Sequence, residues 1–389
     1  MTTETEIGRI DSLLGKLLDI GEADGDRLTV TATLDLTPDG TGQPPVLKAL
    51  RQAGRQAAEG LEKHQAEAVE DEMRELEEAA ADASSRGVLG LVWVAHPVYS
   101  GDAQDADPNP GPFVVLELAA PIRNSVHAGT GPRVFEVARA AYLDRPVALV
   151  TTDMHTMDVT RVRYGAAAGS DEVDWPQHYT SKLGQRTNRA AQGGPVGGMQ
   201  GTGHAYANVE RWVEAQRNLF ANEAAEHVAK FVHGDDILVV EGVDEARSQL
   251  LGRLPESVSA RAVQLNAPPH GEDDRDRFDR LRRLAIDVQL DNGRQRAEGW
   301  FGGAEPNAIN GLEAIATACE QGRVATVIVH EDATDHLGNA EDTRVHESSV
   351  DGAAVERLLQ AALRQGAVAV FTDDERLLGE GGIVAIGRY

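Results

Sequence analysis

Between Trp175 and Val209 the chain reads WPQHYTSKLGQRTNRAAQGGPVGGMQGTGHAYANV and contains no Asp or Glu, although its formal net charge is -26. Lys182, Arg186 and Arg189 lie in this stretch, with His178 and His204 beside them. Gly193, Gly194, Gly197, Gly198, Gly201 and Gly203 then follow within eleven positions. Each glycine adds backbone entropy that a helix or strand interior would have to offset, so the sequence predicts an irregular loop. Directly after it, a helical pattern begins. A basic arm without acids that leads into a glycine loop suits a phosphate-rich partner. A surface loop that merely lacks acids would read the same way.

The rest of the chain alternates helix and strand. Ile7, Ile10, Leu13, Leu14, Leu17 and Leu18 carry a helical period. RLTVTATLDL at 27–36 alternates as a strand does. An acidic tract over 46–83 reads as one or two solvated helices, and strands are expected at 88–95 and 113–118. Val147–Thr151 reads as a buried strand and 157–164 as its hairpin partner. From Tyr206 to Val232 apolar residues recur every three to four positions, among them Trp212 and Phe220, which predicts one long helix. A strand at 237–241, a helix at 244–254 and a strand at 258–265 close this stretch. After a charged linker at 267–276 come a helix at 277–289, a helix at 306–321, a strand at 326–329, a helix at 351–365, and strands at 368–371 and 383–386. An α/β (α+β) chain is therefore expected, divided as 1–141, 142–266 and 277–389, with a three-layer sandwich in the last part. A chain of 389 residues exceeds what one core commonly serves.

Several chemistries find no support in the sequence. The lone Cys319 excludes a disulfide framework and cysteine-based zinc sites and suits a reducing cytoplasm. No apolar run is long enough for a membrane span, and the acidic N-terminus is unlike a secretory signal. G-x-x-x-x-G-K-[ST], G-x-S-x-G and H-E-x-x-H are all missing, so no cofactor or metal is expected. His96, His155, His204, His227, His330 and His336 are scattered. Asp153 and Asp158 read as hairpin-turn residues, Trp212 and Phe220 as core. Arg277, Arg280, Arg282 and Arg283 read as a solvated helix face paired to Asp276 and Asp279.

The order of hairpin, basic arm, glycine loop, the long helix RWVEAQRNLFANEAAEHVAKFV and a buried strand resembles the middle domain of the archaeo-eukaryotic class-1 release factors and their relative Pelota. GLEAIATACEQGRVATVIVHEDA at 311–333 resembles a segment of that family's third domain. VERLLQAALRQGAVAVFTDDERLLGEGGIVAIGRY at 355–389 resembles its closing segment, with Gly381-Gly382-Ile383 and Arg388-Tyr389. The composition fits the bacterial branch, which includes Balon-like ribosome hibernation factors and their actinobacterial relatives. The likeness covers 145–389 and is weak before that.

This resemblance implies a three-domain release-factor/Pelota-like architecture whose C-terminal domain is an α/β/α sandwich of ribosomal-protein L7Ae-like type. It implies a factor bound at the ribosomal A site. Gly193, Gly194, Gly197, Gly198, Met199, Gln200 and Gly201 would lie at the peptidyl transferase centre, and Lys182, Arg186, Arg189 and His204 would contact rRNA. The third domain would meet a translational GTPase such as elongation factor Tu. Release factors of the family carry Gly-Gly-Gln; this chain carries Gly197-Gly198-Met199-Gln200. The inserted methionine favours occupation of the site without hydrolysis: a hibernation factor, acting as a monomer away from membranes. The alternatives are a release factor or peptidyl-tRNA hydrolase using Gln200, and a ribosome rescue factor.

Overall fold

The computed structural model describes residues 10–23, 27–39, 42–97, 112–118, 120–153, 156–163, 174–180, 203–234, 236–267, 272–337, 345–346 and 348–389. The chain divides into two compact units, one of Met1–Asp144, Tyr164–Ser170 and Ile286–Tyr389, the other of Arg145–Arg163 and Asp171–Ala285. Each is a mixed α/β body, as the alternation of helix and strand in the sequence leads one to expect.

In the first unit, β1 (Leu28–Asp35) lies inside an antiparallel sheet ordered β3 (Pro112–Leu118), β2 (Gly90–Ala95), β1, β4 (Ser125–Thr130). The alternation of 27–36 sends Val30, Ala32 and Leu34 to one face, against α2 (Val46–Ala57) and α3 (Lys63–Ser85). Thr29, Thr31 and Thr33 point the other way yet are also buried. Their hydroxyls are satisfied by backbone: Thr33 Oγ1 donates to the Arg123 carbonyl at 2.6 Å, and Thr31 Oγ1 accepts from the Arg133 N–H at 3.1 Å. Paired in this way, a buried hydroxyl avoids the penalty of an unmade hydrogen bond. On that face α1 (Ile10–Ala23) packs Leu13 and Leu17 with Val92, Val94 and Leu116.

β4 and α4 (Phe135–Leu143) have no counterpart in the sequence reading. α4 is shared: Val137 joins the core under α1, while Phe135 and Ala138 complete the core of the C-terminal sheet. Phe135 meets Phe371 edge to face, centroids 5.4 Å apart. The helix begins where the buried Glu356 carboxylate accepts the N–H groups of Val134 at 2.7 Å and Phe135 at 3.3 Å. An anion at a helix N-terminus satisfies otherwise orphaned donors. Burial still pushes the Glu356 carboxyl upward, against the pull of the Val134 N–H.

The C-terminal sheet runs β10 (Ala308–Ile309), β15 (Ile383–Gly387), β11 (Val324–His330), β14 (Val368–Thr372); only β11 and β14 are parallel. The helices Leu312–Glu320 and Gly352–Arg364 cover one face through Ile315, Leu358 and Leu359. The other face receives Ala297, Trp300 and Phe301 from the helix Asp274–Phe301 and Leu377 from the short helix Arg376–Gly379. This is the expected three-layer arrangement. The helix expected at 277–289 runs on to Phe301. Gly293 lets it lie against β14, since a Cβ there would stand 2.1 Å from the Phe371 carbonyl oxygen.

The second unit holds a five-stranded sheet, β7 (Asp174–Thr180), β6 (Thr156–Val162), β5 (Val147–Thr152), β8 (Ile237–Gly242), β9 (Val263–Leu265). β5, β8 and β9 are parallel, and β6 and β7 return antiparallel. The strand expected over 258–265 is instead a short helix, Glu256–Ser259, followed by β9. Pro255 starts that turn, and only three residues remain to reach the sheet edge.

Candidate functional site

The acid-free stretch begins as structure: Trp175–Thr180 belongs to the edge strand β7, a correction to the loop expected from Trp175 onward. Pairing of Thr156 with Thr180 and Met157 with Tyr179 brings β7 to its end beside the tight turn between β5 and β6. There Asp153 Oδ1 accepts the Thr156 N–H at 2.6 Å, the turn role expected of it. Asp158 instead sits within β6, opposite Thr151 and His178. Lys182, Arg186, Arg189 and Gly193 through Gly201 lie outside the described residues. His204 falls in the backbone of α5 (Gly203–Phe231), but its side chain, like that of Trp212, is outside them too.

What holds the two described ends of that stretch is well defined. α5 has 29 residues, about 43 Å of helix, while a six-residue strand such as β8 spans about 20 Å. Among the described residues, Phe220, Ala224, Ala225, Val228 and Val232 are buried on the sheet, packed with Val150, Met157, Val159 and Leu238. Leu219, one residue before Phe220, is 51% exposed. The helix follows the glycine loop directly in sequence. Phe220 is core, as its spacing indicates.

The root is locked by side chains. Asp236, 3% exposed, accepts the His233 N–H at 2.9 Å and Arg161 Nη2 at 2.7 Å, tying the end of α5 to β6. Arg253, just past helix Asp244–Leu251, donates to Asn222 at 2.8 Å and also to Asn218 on α5.

The carboxyl end of β8 carries a second lock that the sequence reading misplaced. Arg277 and Arg280 do not form a solvated face paired to Asp276 and Asp279. Each sends Nη2 to the fully buried Glu241 at 2.7 Å, and Arg280 also forks onto Glu272, both contacts at 2.8 Å. Arg277 Nη2 further reaches Thr151 Oγ1 at 2.5 Å. The cause is Glu241 itself: a carboxylate inside the apolar run ILVVEG cannot be buried unpaired, so it draws cations from the first turns of the helix Asp274–Phe301. The hydrogen bonds from Arg280 hold the Glu272 carboxyl below its usual range. A lone Glu in a buried strand was the signal available in the sequence. Arg283 turns back on its own helix, to the Asp279 carbonyl at 3.3 Å.

Among the described residues no cluster of three or more His, Cys, Asp or Glu is placed to hold a metal, and no helix is long and apolar enough to cross a membrane.

Residues 132–283 match the profile of "Bacterial archaeo-eukaryotic release factor family 10". The match takes in the hairpin, the acid-free stretch, α5, Glu241 and both of its arginines. An uncharacterized protein of Mycobacterium tuberculosis, Rv2629, is 29% identical over 207 residues, 48% of this chain and 54% of that protein. The chain thus spans about half the length of the curated relatives it matches. Among solved structures, the archaeal translation termination factor aRF1 aligns over 98% of this chain and 97% of its own, at 14% identity and TM-score 0.24. Archaeal Pelota, from a model of it bound to the ribosome with ABCE1, aligns over 97% and 94%, at 13% identity and TM-score 0.41. Saccharomyces cerevisiae Dom34 aligns over 79% and 82%, at 9% identity and TM-score 0.38. At such TM-scores these three carry no part of the assignment, which rests on the profile match. Through residues 132–283 the chain is thus similar to the bacterial branch of the archaeo-eukaryotic release factor superfamily.

Proposed function

We propose that the chain is a ribosome-binding factor that occupies the A site of idle ribosomes as a hibernation factor, without releasing peptide. One observation carries the reading: within a release-factor family segment, the glycine loop reads Gly197-Gly198-Met199-Gln200. One extra residue moves a side chain by about 3.5 Å along an extended chain and turns it away from its former direction. A glutamine so displaced can fill a site while missing the position from which it would orient a water.

In this reading Lys182, Arg186, Arg189 and His204 contact rRNA, and the glycine loop ahead of α5 enters the peptidyl transferase centre. The segment 1–141 approaches the decoding centre. The segment 277–389, an L7Ae-like sandwich in this proposal, meets a translational GTPase of the elongation factor Tu kind, and the protein works in the cytoplasm. That Dom34, whose solved structure is described as interacting with Hbs1, aligns with this chain prompts the search for a partner but does not identify one.

A second reading keeps Gln200 as a catalytic residue, because it still follows Gly197-Gly198 closely; the protein would then release peptide or hydrolyse peptidyl-tRNA. Cosedimentation with purified 70S ribosomes tests the common part of both readings. Pelleting at low salt that fades steeply as salt rises is expected. No pelleting, or pelleting indifferent to salt, contradicts them.

A further inference from the structure

The described part of the first unit contains a cleft that the ribosome reading does not use. It opens between α2 and α3, has a volume of about 350 Å³, and is lined by Arg51, Arg55, Arg74, Glu70 and Glu77. That volume is in the range of small-ligand sites, roughly 300–1,000 Å³. Its floor is Gly54 against Met73. A Cβ at position 54 would stand 2.7 Å from Met73 Cγ, so glycine lets the two helices approach while the longer side chains on either side splay apart.

The charges are arranged for exchange. Arg51 and Arg55 are one turn apart on α2, and Arg74 faces them from α3. Arg51 forks onto Glu77 at 2.9 and 3.2 Å, and Arg74 touches Asp71 at 2.6 Å. Both arginines are largely exposed, 78% and 67%, and ion pairs so exposed hold weakly and can be traded for a better anion. Arg55 is exposed and makes no side-chain hydrogen bond or ion pair with a described residue. Three guanidiniums thus gather round one cleft in a chain whose net charge is -26. A phosphate is the anion whose geometry their planar forks match. Glu70 and Glu77 offer acceptors for hydroxyl or amine donors.

We propose that this cleft binds a nucleotide: its phosphate on Arg55, Arg51 and Arg74, and its hydroxyl or amino donors on Glu70 or Glu77. Two sources carry that chemistry, a free nucleoside monophosphate and the 5′-phosphorylated end of an RNA strand. The site does not depend on the ribosome reading and stands or falls separately.

Calorimetric titration of the full chain tests it with three probes: adenosine 5′-monophosphate, a 5′-phosphorylated RNA hexamer and inorganic phosphate. At least one nucleotide probe is expected to bind with Kd below about 1 mM. Arg55→Gln should weaken that binding at least about tenfold, whereas Arg357→Gln, an exposed arginine on another helix, should leave it unchanged. Since Arg55 is exposed and unpaired among the described residues, its replacement should leave the melting temperature where it was. Tighter binding of the hexamer would assign the nucleotide to an RNA end, and equal or tighter binding of the monophosphate to a free ligand; both support the cleft. Absence of binding by both nucleotide probes, binding indifferent to Arg55→Gln, or inorganic phosphate binding as tightly as either nucleotide would overturn the proposal.

Discussion

Arg277 Nη2 stands 2.7 Å from the carboxylate of Glu241, a residue with no exposed surface, and Arg280 meets the same carboxylate from one turn further along the helix. A buried carboxylate stripped of its cation costs far more than the pair contributes, commonly about 3–5 kcal/mol. Because two arginines share Glu241, losing one should cost about 1–3 kcal/mol, since a charged hydrogen bond is lost but one cation remains. Arg277→Ala and Arg280→Ala together should reach the full range, and Glu241→Gln should recover part of the loss in that background. Urea unfolding of the single, double and triple variants reads these values; additive, sub-kilocalorie losses would mean that the pairs are solvated after all.

Glu72 gives a pH dependence. Its carboxylate lies under the sheet, accepts from Trp93 Nε1 at 2.8 Å, and is raised by burial to about 7 from 4.5. A raised carboxyl favours the protonated form in the folded state. Its contribution is therefore fully present below pH 4.5 and is lost as pH climbs through about 7. Glu72→Gln keeps an oxygen for Trp93 and cannot ionise. The variant should be more stable than wild type at pH 8, by on the order of 2 kcal/mol, and less different from it at pH 5. Thermal melts across that interval check the sign; a wild type as stable as the variant at pH 8 would contradict it.

Gln200 separates occupation of the site from catalysis. Labelled peptide should stay on purified peptidyl-tRNA ribosome complexes when the wild-type protein is added. Gln200→Ala should bind ribosomes nearly as well as wild type. Robust release by wild type, abolished by Gln200→Ala, would make the catalytic reading the right one.

The parts of this fold legible in the sequence are those whose reasons are local. RLTVTATLDL shows its period, and the burial of Val30, Ala32 and Leu34 follows from it. Phe220 and Val228 announce the root of α5 in the same way. α4 was missed because its start is satisfied from afar: Glu356 caps Val134 and Phe135 from more than two hundred residues along the chain. The partners of Arg277 and Arg280 were misassigned for the same reason. Asp276 and Asp279 are adjacent in sequence, whereas Glu241 lies 36 and 39 positions away and becomes a partner only through the sheet. Of the candidate site, the sequence showed its composition and its flanking elements. Lys182 through Gln200 lie outside the described residues.

The salt dependence of ribosome binding tests the central claim most directly, measured by pelleting for the wild type and for the Lys182→Ala, Arg186→Ala, Arg189→Ala triple variant. Each rRNA phosphate contact releases counterions and adds roughly 0.7–0.9 to the slope of log K against log salt. The triple variant should bind at least about tenfold more weakly, about 1.4 kcal/mol, with a slope smaller by up to about two to three. Its melting curve should match wild type within about 0.5 kcal/mol. A well-folded triple variant that pellets with wild-type affinity and wild-type slope would contradict the claim that the acid-free arm holds the ribosome.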